Sequence, residues 1–290
     1  MTKQKNEKRK SESQGVLRRF LRHRMATVGF VILLLMTLSV LFLPPLLHLD
    51  PYTTGQGMPF SAPTAEHLLG TDNAGRDSFA RLLYGGRVSL LVGLVSTAIS
   101  ILIGVPLGMI SAYYGGMVDS IVMRLADVFL SFPSTIFILV LVSVVGPSLW
   151  TLVLVMGVLS WPEFARLIRG NVMSIRKKEY VESARAIGAR DAYLLAKHVL
   201  PNAIGPIIVA ATFRVAGAIL QESSLSFLGM GVVPPEASWG NILNGAQSVT
   251  VLTTCPWAWI PAGTLLVVTI CSINFIGDGL RDALDPHARV

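Results

Sequence analysis

Few residues in this chain have the types and spacing to do chemistry, and the first group is Asp72-Asn-Ala-Gly-Arg-Asp77. It resembles an oxygen-ligand loop. A calcium loop of the EF-hand type needs oxygen ligands at positions 1, 3 and 5, glycine at 6 and glutamate at 12. Counted from Asp72, Ala74, Arg76 and Leu83 fall at positions 3, 5 and 12, so the calcium pattern fails. Two readings remain. One is a turn held by Asx side chains. The other is a contact surface for an external protein, made by Asp72, Asn73, Arg76 and Asp77, with Trp239 from a later loop. Cys255, beside Pro256, and Cys271, inside an apolar run, show no CxxC spacing and no histidine at ligand distance. A metal site and a disulfide framework are both disfavoured, and Cys271 reads as a small core residue. No GxxxxGK[ST], HExxH or GxSxG is present. The chain is therefore read as neither a P-loop ATPase, a zinc protease nor an α/β-hydrolase, and no cofactor is assigned to it.

The next group is charge inside apolar runs. A charge at membrane depth costs about 2.5–3.5 kcal/mol on insertion scales, so each one needs a reason. Arg124 and Asp127 stand at i, i+3 and can neutralise one another on one helix face. Arg214 and Glu222 lie two turns apart on a similar face. Structural pairing within a bundle is one account of these four residues. A polar lining for a translocation path is the other.

The third group is a charged island, Tyr180-Val-Glu-Ser-Ala-Arg-Ala-Ile-Gly188 running on to His198-Val-Leu-Pro-Asn202, between two apolar runs. It reads as two short helices. Tyr180, Ala184 and Ile187 fall at i, i+4 and i+7 and form a narrow apolar face. Gly188 suits a helix C-terminus, where a left-handed backbone costs glycine little. Asp191 suits the N-cap of a second helix over 192–199, which Pro201 closes. An amphipathic loop on the membrane surface fits this spacing, and so does a rigid lever that docks a partner.

The elements that must position these groups are membrane helices. Charged residues make up 14% of the chain, against about 25% in soluble proteins, and mean hydropathy is +0.60. The net charge of +7 is not a nucleic-acid footprint. Nine Lys and Arg lie in the first 24 residues, eight between 166 and 197, and two in the C-terminal tail. About twenty residues cross a 30 Å bilayer core at 1.5 Å per residue. Six apolar runs qualify: 25–47, 88–112, 120–145, 148–166, 203–228 and 257–278. The first ends in Pro44-Pro45-Leu46-Leu47-His48 and is too long for a signal-peptide core, so it reads as a retained helix. Lys and Arg placement puts both termini in the cytoplasm, with the basic tail resting on anionic lipid. Phe79, Leu82 and Leu83 suggest a short surface helix before Arg87 opens the second span. Pro234, Pro235 and Trp239 fit a stiff interfacial element. Gly104-Val-Pro-Leu-Gly108 matches GxxxG, which serves packing within a subunit as well as dimerisation.

At the charged island the chain resembles a known family. Glu182-x-Ala184-x-x-x-Gly188, with Leu200-Pro201 twelve residues further on, is similar to the EAA loop of binding-protein-dependent ABC importer permeases. Ser183 stands where that pattern has its first Ala, and His198 where it has Ile. The ending His198-Val-Leu-Pro-Asn202 resembles the peptide and nickel branch. So do Leu68-Leu-Gly-Thr-Asp-Asn-Ala-Gly-Arg-Asp77 with Gly85-Gly-Arg87, Glu222-Ser-Ser-Leu-Ser-Phe-Leu-Gly229, and Pro234-Pro-Glu-Ala-Ser-Trp-Gly240. The resemblance runs from about residue 15 to the C-terminus.

It implies an all-α, six-span type I importer permease of the bacterial inner membrane, a C-type subunit for dipeptides or oligopeptides. The layout would be a tail over 1–24, a first span over 25–47, an extracytoplasmic segment over 48–87, a transmembrane domain over 88–281 including the 166–201 loop, and a tail over 282–290. The implied partners are a second permease, two ATPase subunits carrying ATP and Mg, and an external solute-binding protein. Glu182, Ser183, Ala184, Arg185, Gly188, Pro201 and Asn202 would couple to the ATPases.

Overall fold

The computed structural model describes residues 17–176 and 178–284. Most of the basic tail, the last six residues, and the side chains of Arg185 and His198 lie outside the described part.

Among the described residues, five units are long and apolar enough to cross a membrane, and a bent pair, taken as one span, makes a sixth. Helix α1 covers Arg24–Leu46, and its N-cap is the His23 ring, which accepts from the Ala26 N–H at 3.1 Å. Pro44 and Pro45 stand in its last turns. A proline has no N–H to return to the carbonyl four residues back. The carbonyls left open are those of Val40 and Leu41, and Arg87 serves both. Its Nη2 donates to Leu41 O at 2.7 Å and its Nε donates to Val40 O.

Helix α2 runs from Ser78 to Tyr114, 37 residues, with Asp77 accepting from the Ala80 N–H at 2.7 Å as N-cap. At 1.5 Å per residue it is about 55 Å long, well beyond the bilayer core. The surface helix expected over 79–83 is thus the first turn of the span itself. No residue between Ser78 and Arg87 breaks the backbone, so the two fuse. The Gly104–Gly108 stripe packs inside the subunit: a Cβ at either glycine would come within 2.4 Å of a backbone oxygen, of Trp161 or of Ala165 respectively.

The span expected over 120–145 is broken. Helices α3 (Gly116–Ser131) and α4 (Ser134–Val145) meet at 84°. Pro133 excludes the helical conformation at the residue before it, and Phe132 is extended at φ −100°, ψ 143°. Gly146, at φ +103°, makes the expected turn. Ser148 then caps α5 (Leu149–Leu159), which continues through Ser160 into α6 (Trp161–Arg176). This span reaches ten residues further than the run ending at 166 suggested.

Helix α7 covers Glu179–Ala186 and α8 covers Asp191–Leu194. A π-turn, Leu195–Val199, joins α8 to α9, Leu200–Phe227. Pro201 was expected to close the second loop helix, but it stands inside a continuous helical path. The wider turn accommodates it, with the Leu200 N–H reaching Leu195 O, five residues back. After α9 come α10 (Trp239–Gly245), held by a Ser238–Asn241 capping box, then α11 (Val249–Thr254) and α12 (Ile260–Leu284).

The long helix α2 is the hub, packed on α6, α9, α5 and α1, while α12 lies between α9 and α1. Cys271 does not sit in the core. Leu266, Thr269 and Ile273 make the buried stripe of α12, and the helical period leaves Cys271 exposed on another face. The start of α1 and the end of α12 meet at one end of the bundle, where Phe20 packs with Ala283 and His23 Nε2 lies 3.6 Å from Asp282. The loop bearing α7 is at that same end, since Arg176 donates to the last carbonyls of α2.

Candidate functional site

The α7 loop is built as a lever with one face anchored and one face open. Val181 is buried against Val172, Ile175, Val199 and Ala203, which fixes α7 to α6 and α9. The opposite face carries Tyr180, Glu182, Ser183 and Ile187, all exposed, with Ala184 half-buried. Ile187 is 87% exposed, an unusual place for a large aliphatic side chain beyond the ends of the spans. Pro201 and Asn202 are also exposed, and Asn202 Nδ2 donates to the Tyr180 hydroxyl at 3.4 Å.

Gly188 turns the chain between the two loop helices at φ +84°. The Ala189 N–H returns to Ala184 O at 3.1 Å, the six-to-one bond of a Schellman ending. The turn thus forms where the glycine signal placed it.

Residues outside the loop strap it to the bundle, and spacing gave no sign of them. Tyr113, buried at the end of α2, donates its hydroxyl to Asp191 at the start of α8. That contact occupies the carboxylate expected to cap the second helix. Arg176 Nη1 donates to Tyr113 O at 2.9 Å. Asp119 accepts both Arg169 Nε and Nη2 at 2.6 Å, and Ser111 Oγ as well. These partners lie 50 or more residues apart except for Ser111 and Asp119.

The charge pairs expected along single helices do not form. Asp127 bonds Arg166 on α6 rather than Arg124, and among the described residues Arg124 has no carboxylate within ion-pair distance. The packing of α6 beside α3 brings Arg166 Nη2 within hydrogen-bond distance of Asp127 Oδ1. Arg214 donates to Ser160 Oγ, and its Nε is buried without an acceptor. Glu222 meets neither Arg214 nor any path open to solvent: it is wholly buried. Its carboxylate accepts Ser226 Oγ at 2.7 Å, Ser89 Oγ at 3.0 Å and Ser223 Oγ at 3.3 Å. Ser89 Oγ in turn accepts the Trp239 N–H, so the cluster locks α2, α9 and α10 together.

At the far end of the bundle, three of the five expected contact residues, Asp72, Asp77 and Trp239, are spent internally, and Arg76 is spent in part through its Nε on Asp72. Asp72 Oδ1 accepts the N–H groups of Ala74 at 2.8 Å and Arg76 at 2.9 Å, the Asx turn. Asp77 caps α2 and lies 3.0 Å from His67 Nδ1. Arg76 is buried, and Asn73 alone is exposed. Trp239 is no interfacial anchor. It is fully buried between α2 and α9, with Nε1 donating to Leu82 O at 3.1 Å.

The fold is that of an ABC importer permease. A chain of the MetNI methionine ABC transporter, in inward facing conformations, superposes with a TM-score of 0.59 at 21% identity, covering 71% of this chain and 97% of that one. The sequence narrows the class. Residues 104–290 match the model of the binding-protein-dependent transport system inner membrane component, and residues 11–63 match the N-terminal TM domain of oligopeptide transport permease C. A putative peptide permease protein of Brucella suis biovar 1 is 47% identical over 272 residues, 94% of this chain and 90% of its own. The oligopeptide transport system permease protein OppC of Bacillus subtilis is 39% identical over 93% of this chain and 88% of its own. The chain belongs to the binding-protein-dependent inner membrane permeases, in the branch that carries the OppC N-terminal segment.

Proposed function

We propose that this chain is a membrane subunit of an ATP-driven importer of dipeptides or oligopeptides. It forms the translocation pathway with a second permease and receives its stroke through the α7 loop. The observation that carries this reading is the open face of α7. Exposed Tyr180 and Ile187 beside Glu182 and Ser183, on a helix whose other face is pinned by Val181, are what a docking helix requires. The names of the relatives in Brucella and Bacillus support peptides as cargo.

The loop-bearing end is cytoplasmic, as the surplus of Lys and Arg there favours, and with it both termini. Two ATPase subunits bring ATP and Mg. Their closure pushes α7, and the push passes through Tyr113–Asp191 and Arg176 to the end of α2. Because α2 contacts α1, α5, α6 and α9, displacing its end tilts the bundle. Substrate arrives at the opposite end on an external binding protein. Such a device requires two bundle arrangements close enough in energy for ATPase binding to switch their populations.

The test is purification from native membranes in mild detergent, with mass spectrometry and ATPase assay, then reconstitution. One second permease and two P-loop ATPase subunits per copy of this chain, with ATP-dependent peptide uptake, is the expected result. Uptake by this chain alone without ATP would replace the reading with a stand-alone transporter.

A further inference from the structure

At the end of the bundle opposite α7, residues from 60–81 and 226–246, with Ala258, line a cavity of about 110 Å³ whose charged lining is Asp72, Arg76 and Arg81. Arg76 is 7% exposed and Arg81 3%. Asp72 is the only carboxylate in the wall, and its oxygens are saturated. Oδ1 holds the two turn N–H groups, while Oδ2 accepts Arg76 Nε at 2.7 Å and lies 3.1 Å from Arg81 Nε. Two guanidiniums share one carboxylate, which leaves the wall one positive charge in excess.

The nearby acidic groups do not cancel it from inside. Asp77 is committed to His67 and to the α2 cap. Glu236 acts on Arg81 from an exposed position outside the lining. Arg81 Nη1 donates to Pro51 O at 3.1 Å and Pro235 O at 3.3 Å. The terminal nitrogens of Arg76 are less committed: Nη2 reaches Asn73 Oδ1 only at 3.5 Å. A buried charge without its partner is costly, and a guanidinium fork suits a carboxylate held at two points. Asn73, Gly229 and Pro234, all exposed, give the cavity its rim. The cavity is large enough to take a carboxylate head.

We propose that this cavity takes the carboxylate of a single aspartate or glutamate side chain presented by the external binding protein, with Arg76 as the donor. The proposal deepens the importer reading and rests on it.

The test uses the whole importer complex in nanodiscs and its binding protein, with docking affinity measured by biolayer interferometry. Arg76→Gln is expected to weaken docking at least ~30-fold, as truncation of a buried charge pair does. Arg76→Lys should recover part of the loss, since it restores charge without the fork. Independently, acidic residues on the docking face of the binding protein are neutralised one at a time against the unaltered permease. One of them should reproduce the loss, and combining it with Arg76→Gln should add nothing. Because this scan leaves the permease untouched, it decides the matter even if Arg76→Gln fails to assemble. No acidic residue with this effect, or unchanged docking by a well-assembled Arg76→Gln complex, overturns the proposal. So does an Arg76 effect seen only with peptides bearing a free C-terminus, which would place the substrate in the cavity. Failure of the unaltered complex to bind any such protein would instead sink the importer reading.

Discussion

Gly188 permits a sharp test of the lever. Its φ of +84° lies in the left-handed region, and among the described residues no atom beyond its chain neighbours lies within 4 Å of where a Cβ would stand. Space is therefore not the constraint within this chain; backbone conformation is. An L-residue held in the left-handed region costs roughly 1–2 kcal/mol, and about 1.4 kcal/mol is a tenfold change in population. Asparagine tolerates that region, and a β-branched residue is a true outlier there. The expected order of damage is Gly188→Asn least, Gly188→Ala and Gly188→Leu alike in the middle, and Gly188→Val worst. The readout is peptide uptake per ATP hydrolysed in proteoliposomes at matched protein level. Alanine should lower this ratio by about five- to thirtyfold if the full conformational cost is felt. If leucine were far worse than alanine, the bulk of the side chain against a partner would matter and not the turn. Wild-type coupling in all four variants would refute the lever altogether.

Three further outcomes follow from the same geometry. Arg87→Leu strands the Val40 and Leu41 carbonyls and should cost about 1–3 kcal/mol for each, read by thermal unfolding in detergent. In a Pro44→Ala, Pro45→Ala background, where the chain supplies its own donors, the same change should cost much less; an equal loss would refute the assignment. Glu222→Ala empties a fully buried site and strands three serine hydroxyls, for a loss of roughly 2–5 kcal/mol, whereas Glu222→Gln should fold nearly as well. Equal stability of the two variants in the unfolding assay would contradict the packed-hub account. Tyr113→Phe removes only the hydroxyl bonded to Asp191. ATPase copurification should be unchanged while uptake per ATP falls several-fold; loss of ATPase binding, or unchanged coupling, would argue against transmission by this contact.

Features governed by local rules were legible in the sequence. The apolar runs marked every span because water exclusion acts on segment composition. Gly188 marked its turn and Asp72 its Asx loop because both act through bonds to residues a few positions away. The breaks and extensions were also written locally, yet were easy to misjudge. Pro133 split a run that hydropathy had joined. Pro201 and Arg87 suggested boundaries where the helix in fact continues, at Pro201 through a π-turn.

Side-chain partnership was not legible. Nothing near Asp127 in the sequence names Arg166, nothing near Tyr113 names Asp191, and Trp239 and Glu222 looked like an anchor and a pathway charge until Ser89 and Leu82 were seen beside them. Hydropathy and turn chemistry act over a few residues, so the sequence alone determined that the chain is a helical membrane permease and where its docking loop turns. Which charges are sealed, which face of α7 stays open, and which guanidinium shares its carboxylate depend on helices 150 or more residues apart being brought within hydrogen-bond distance, as α2 and α10 are at Ser89 and Trp239, 3.3 Å apart. Only the packed tertiary structure decides that, because burial turns a neighbour's missing partner into a cost of kilocalories.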